Sequence, residues 1–144
     1  MNLTSQDFEP EGRLADRHTA SGANRPPLLT VTDLPDGTME LALIVHDPDA
    51  PLPQGFTHWL RYGLPPRDGV ISGDDVPHHD GVNDFGNRGY DGPKPPPGHG
   101  LHHYYFWVYA LADVVDGEPT RDEFLRRYAH SIIGQQRIVA TYSR

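Results

Sequence analysis

The sequence predicts a mainly β domain, on three observations. Short apolar runs alternate with turn-forming residues along the whole chain, and Gly 15 and Pro 15 together make about a fifth of the 144 residues. That excess is spread between the runs and not pooled in one tract, so it marks turns in a folded chain and not disorder. Only one segment, near the C-terminus, carries helical periodicity with a capping signal. Several strands, long irregular connections and a single late helix fit one domain over residues 1–144, long enough to bury a single core.

The elements follow in order. Residues 1–27 are polar and broken by Pro10, Gly12, Gly22, Pro26 and Pro27, and read as an irregular lead-in with one short strand near Arg17–Thr19. Leu28–Val31 is a strand candidate, followed by the turn chemistry of Asp33-Leu34-Pro35-Asp36-Gly37. Met39–His46 is almost continuously apolar and fits a strand buried on both faces. A further strand runs from His58 to Leu64 and breaks at Pro65-Pro66, and Arg67–Asp80 reads as an acidic surface loop. Asn83–His99 is too rich in Gly and Pro for long regular structure. Tyr104–Leu111, aromatic and β-branched, is the strongest strand. Thr120 and Glu123 form a capping box after Pro119, Phe124, Leu125, Tyr128 and Ile132 share a helical face, and Gly134 is expected as a left-handed stop. Arg137–Tyr142 closes the chain as a strand.

Charge and composition exclude some classes of function. A net charge of -8 argues against a groove for nucleic acid or an anionic membrane surface. A compact anion needs only local donors and is not excluded. With no cysteine there are no disulfides and no thiolate sites. The first residues lack the basic start and apolar core of a signal peptide, and no stretch approaches a membrane span, so a cytoplasmic location is expected.

The chemistry concentrates in two stretches. Val45-His46-Asp47-Pro48-Asp49-Ala50-Pro51 puts two carboxylates one proline apart, and Phe56-Thr57-His58-Trp59 answers with an imidazole. Asp47 and Asp49 share a parity, so extended chain would point both to one side. The same residues are also the ordinary punctuation of a strand-end turn. The second stretch, Gly92-Pro93-Lys94-Pro95-Pro96-Pro97-Gly98-His99-Gly100-Leu101-His102-His103-Tyr104, is a stiff proline wall leading into the aromatic strand. His102 and Tyr104 share one strand face; His103 and Tyr105 take the other. If His58 converges with His102 and Tyr104, three side-chain donors suit a phosphate or carboxylate.

These motifs, with Asn83-Asp84-Phe85-Gly86 and Gly89-Tyr90-Asp91-Gly92-Pro93 between them, resemble those of the phosphatidylethanolamine-binding protein family, also called the Raf kinase inhibitor protein family, in its bacterial and archaeal branch. Gly22–Leu28 and Ala140–Arg144 agree in order, so the resemblance covers nearly the whole chain. It implies a large antiparallel sheet packed on a smaller one, short peripheral helices, and one pocket formed by Asp47, Asp49, His58, Pro96, His102 and Tyr104. It also implies a cis peptide between Ala50 and Pro51. The implied ligand is a small anion or a zwitterionic head group such as phosphoethanolamine, with no cofactor. A kinase or protease partner and a homodimer are compatible with it. The chain departs from the family's usual pattern at His103, where arginine is common, and at Arg61-Tyr62-Gly63-Leu64.

Rival readings are weaker. Nine histidines and twenty acids could supply a metal-dependent enzyme, but His99-x-x-His102-His103 is not a helical ligand pair and its last two members face opposite ways. A hydrolase would need a nucleophile. None of the five serines lies in a Gly-x-Ser-x-Gly elbow, and Ser131 beside His130 sits on the predicted helix pointing elsewhere. The chain therefore reads as a binding protein and not an enzyme.

Overall fold

The computed structural model describes residues 1–144. Its centre is β3 (Glu40–Asp47), buried at all eight positions, as the continuous apolar run requires. β3 pairs antiparallel on one side with β4 (Phe56–Leu64) and on the other with β7 (His102–Leu111). β6 (His79–Asp80) extends the sheet beyond β4, and β8 (Ile132–Tyr142) beyond β7, giving five strands in the order β6-β4-β3-β7-β8. A three-stranded sheet of β1 (Asn2–Thr4), β2 (Thr30–Thr32) and β5 (Gly69–Val70) covers one face.

The alternation of β3 divides the core. Leu41, Leu43 and Val45 join Val31, Trp59, Phe106, Val108 and Ile138 between the two sheets. Ala42 and Ile44 face the other way, against Leu60, Tyr62, Tyr109 and the helix α1 (Arg121–Tyr128), whose Phe124 is fully buried. The order of layers is thus small sheet, large sheet, helix. Tyr62 ties the last two together, donating from its hydroxyl to the Pro119 carbonyl at 2.8 Å.

Several expectations are corrected. Asp16–His18 is a turn of 3-10 helix and not a strand, because the Thr19 and Gly22 amides close tight turns onto Asp16 and Thr19. Arg67–Asp80 contains β5 and β6, and its Asp80 is no surface acid: it binds the buried Arg61 at 2.9 Å. The helix begins at the expected capping box but ends at Tyr128, and the chain passes through a 3-10 turn, Ala129–Ser131, into β8. Gly134 is no helix stop. It lies within β8, opposite Ala110, where a Cβ would crowd Pro35 at 3.0 Å. Ile132 likewise opens the strand, because ten pairings with β7 outweigh one more helical turn. No peptide bond is cis: Ala50–Pro51 is trans, the intrinsic preference of an X–Pro bond. The turn there closes through the Leu52 amide on the Ala50 carbonyl and the Gly55 amide on Leu52.

Thr120→Ala removes the acceptor of the Glu123 amide and should cost about 1 kcal/mol in urea unfolding. His46, on the helix side of β3, is buried and bonded through Nδ1 to Thr57. Burial first, and the charge of Arg121 second, push its pKa down to about 4. The unfolded chain binds this proton near pH 6.5 and the folded chain does not, so stability is full above that pH. It falls as pH drops towards 4, by about 3 kcal/mol. His46→Gln should flatten the fall in melting temperature between pH 7 and 4.5.

Candidate functional site

β3 and β7 both meet the site at the same end of the large sheet. β3 ends there at Asp47, and β7 starts there at His102. Asp47 accepts a hydrogen bond from His102 Nδ1 at 2.6 Å, and both side chains are almost wholly buried. Because a carboxylate only accepts, His102 Nδ1 carries the proton, and Nε2 is the ring nitrogen left for other partners.

His58 reaches the same place through an irregularity of β4. The partners of Val45 and His46 are Trp59 and Thr57, so His58 is an extra residue opposite a single step of β3. A β-bulge of this kind turns two successive side chains to one face. His58 joins the cavity, Trp59 the core behind it, and Thr57 faces His46 on the helix side. The loop 83–91 straps the bulge. The Asp84 amide donates to the Thr57 carbonyl, the Asp84 carboxylate accepts from the Thr57 amide, and the Asp91 amide donates to the His58 carbonyl. His58 Nδ1 in turn donates to the Asp91 carbonyl at 2.7 Å. That carbonyl can only accept, so neutral His58 presents a bare Nε2 lone pair to the cavity. Burial pushes the His58 pKa down, partly offset by that bond and by nearby carboxylates.

Asparagines fix the strap. Asn83 Oδ1 accepts from the Phe85 and Asn87 amides, while the Asn24, Asn83 and Asn87 side chains all donate to the Asp91 carboxylate. Burial alone would raise Asp91; these amides hold it below the usual carboxylate range. Gly92 follows because any Cβ there would meet the His18 carbonyl oxygen at 1.9 Å.

The result is a cleft of about 240 Å³ lined by twelve residues. Of the six expected pocket residues it brings together five: Asp47, His58, Pro96, His102 and Tyr104. The His58 and Tyr104 rings lie 5.3 Å apart and edge-on, and those of His102 and Tyr104 are stacked at 6.3 Å. Tyr104 is 1% exposed overall and lines the cleft. Burial, with the charges of Asp47 and Asp49, raises its pKa well above that of a free phenol, so it stays a neutral donor.

Asp49 is the exception. Shared parity fails because β3 ends at Asp47 and the chain turns: the Asp49 amide donates to Asp47 Oδ1. The Asp49 carboxylate instead takes the backbone and ring donors of His103, at 2.8 and 2.7 Å. Burial would raise its pKa, but these bonds leave it lowered. The two acids thus serve opposite faces of β7, Asp47 holding His102 and Asp49 holding His103.

The cleft has seven further lining residues that the sequence does not mark as pocket residues: Phe56, Phe85, Ala50, Pro51, Leu52, Lys94 and Pro95. Phe85 lies within a motif that the sequence does display, and it packs on Phe56 at 4.6 Å and His58 at 5.6 Å. Nothing in local periodicity marks Leu52 or Lys94. The walls are therefore apolar, with the polar atoms gathered at the floor and Lys94 as the one permanent cation.

Comparisons with known proteins show the family and the fold. Residues 4–143 match the family described as phosphatidylethanolamine-binding protein. A UPF0098 protein of Methanothermobacter thermautotrophicus is 36% identical, with 100% of this chain and 99% of that one aligned. The crystal structure of Escherichia coli YbcL, titled a new member of the mammalian PEBP family, superposes with a TM-score of 0.90 at 30% identity, covering 99% of this chain and 98% of that one. A phosphatidylethanolamine-binding protein from Plasmodium vivax shares the fold, with a TM-score of 0.64 at 16% identity over 99% of this chain and 85% of that one. With residues 4–143 matched by the family and the two-sheet fold shared, the chain belongs to the phosphatidylethanolamine-binding protein family.

Proposed function

We propose that the cleft binds a small anion or a zwitterionic phosphate head group, such as phosphoethanolamine. The observation that carries this reading is that His58 Nε2 and Tyr104 Oη, on side chains more than nine-tenths buried, line the open cleft and hydrogen-bond to no other part of the protein. A ligand that fills the cleft and displaces its solvent would take up both hydrogen-bonding positions, since polar groups cut off from water without a partner are costly. Lys94 stands at the apolar wall with no ion-pair partner, free to meet a second negative oxygen.

The affinity is modest. Three charge-assisted contacts at roughly 1.5–3 kcal/mol each give about 5–9 kcal/mol gross, against an association cost of about 4 kcal/mol or more. A bare head group then binds at about millimolar concentration or weaker. Tighter ligands would have to use the apolar walls.

The first test is calorimetric titration with inorganic phosphate. His102→Ala should abolish binding in a chain that still folds, at a lower melting temperature because Asp47 is left buried and unpaired; unchanged phosphate affinity would refute the assignment. The second is pH. Neutral His58 offers a lone pair, so an anion without a proton of its own must bind together with proton uptake by the ring. Burial lowers the His58 pKa, so the neutral form prevails at pH 7. Sulfate, which does not titrate in this range, should therefore bind more tightly as pH falls from 7.5 to 5.5. An affinity flat across that range would show that His58 does not protonate to receive it.

A further inference from the structure

The ligand-facing nitrogen of His102 is already occupied. His99 Nδ1 lies 2.7 Å from His102 Nε2, completing a chain Asp47–His102–His99 from the buried carboxylate to the surface. His102 is 3% exposed, whereas His99 is an exposed loop residue. We propose that His99 is a built-in competitor for the ligand, a side-chain plug that must leave His102 before an anion can engage it. This rests on the anion-binding reading of the cleft and adds a regulatory contact to it.

The argument is one of valence. Asp47 fixes the proton on His102 Nδ1. In neutral His102 the Nε2 is an acceptor and His99 donates to it; in cationic His102 the Nε2 donates and His99 accepts. In either case that nitrogen makes one good hydrogen bond, and His99 holds it. The other charged or titratable groups around the ring do not compete for it: Asp47 sits on Nδ1, Asp49 is bound to His103, and Tyr104 stacks on the ring face. Lys94 lines the cleft as a cation and carries no acceptor for an imidazole N–H.

The loop is built to let the plug go. His99 lies between Gly98 and Gly100, with φ of 75° and 91°, in the left-handed region that glycine adopts without strain. No atom lies within 4 Å of where a Cβ would stand at either. The His99 amide is held by the Pro96 carbonyl at 3.2 Å, and the Gly98 amide only weakly by the Arg144 carbonyl at 3.5 Å. Behind it, Pro95, Pro96 and Pro97 keep the cleft wall stiff. Side-chain release therefore needs rotation about one residue, with the wall unmoved.

Two measurements on the full chain test this. In phosphate calorimetry, His99→Ala should bind about threefold to tenfold more tightly than the unmutated chain, the worth of one hydrogen bond no longer displaced. Unchanged or weaker binding would overturn the plug. The second readout needs no ligand: diethyl pyrocarbonate modification of His102, followed by peptide mass mapping. It should be slow in the unmutated chain and several-fold faster in His99→Ala, and equal rates would overturn the plug as well. If neither the unmutated chain nor His99→Ala takes up phosphate, calorimetry rejects phosphate binding and the modification rates alone decide the plug, faster upholding it and equal overturning it, so the two claims fail separately.

Discussion

The buried hydrogen bond from His102 to Asp47 is the constraint on which the site depends. It joins the last residue of β3 to the first of β7, so the cleft is framed by two strands that the core already holds side by side. β3 is buried throughout, and seven of its residues pair with β7. The position of this pair is consequently as firm as the core itself. Removing one partner would leave the other polar group buried and unpaired, which costs more than the bond contributes net. The opposite wall is held by a different device, the bulge in β4, strapped by the 83–91 loop. A rigid pair on one side and a strapped bulge on the other define the gap between His58 and His102.

Electrostatics then decide what the gap can receive. A chain of net charge -8 is a poor general attractor of anions. Within the cleft, however, the one carboxylate is already committed to His102, and Asp49 and Asp91 are turned to partners outside it. What remains is a neutral phenol, two imidazoles and one lysine among apolar walls. Low-dielectric walls strengthen whatever hydrogen bonds form at the floor. The same burial holds the His58 pKa down, so on the proposed reading an anion would have to bring a proton to that ring.

Much of this was legible in the chain. The unbroken apolar run of β3, the aromatic β7 and the Thr120 capping box each follow from local chemistry that tertiary contacts do not contradict. The parity of His102 and Tyr104 also holds, because β7 is regular where they sit. Parity fails where the strand does. Asp49 lies past the end of β3, and only pairing against His103 reveals which way its carboxylate turns. His58 is the reverse case: alternation from Trp59 would send it to the helix side, and the bulge brings it back. Bulges are set by long-range pairing, so no window of residues around His58 encodes it. Gly134 misleads for a similar reason, since a glycine after a helix is an ordinary stop unless the next strand has a partner waiting.

The same contrast explains why recognition and mobility lie so close together. The donors that need precise placement sit on β3, β4 and β7, where packing removes alternative positions. His99 sits one step off that scaffold, between two glycines and behind a run of prolines that carries no internal hydrogen bonds. A polyproline wall is stiff along its length, so the His99 side chain can turn while its amide stays on the Pro96 carbonyl and the wall holds its place. The chain thus separates a fixed binding floor from a movable side chain that touches it through a single nitrogen. The departure at His103 fits this division, for it draws Asp49 to the outer face and leaves His102 Nε2 with His99 as its one protein partner.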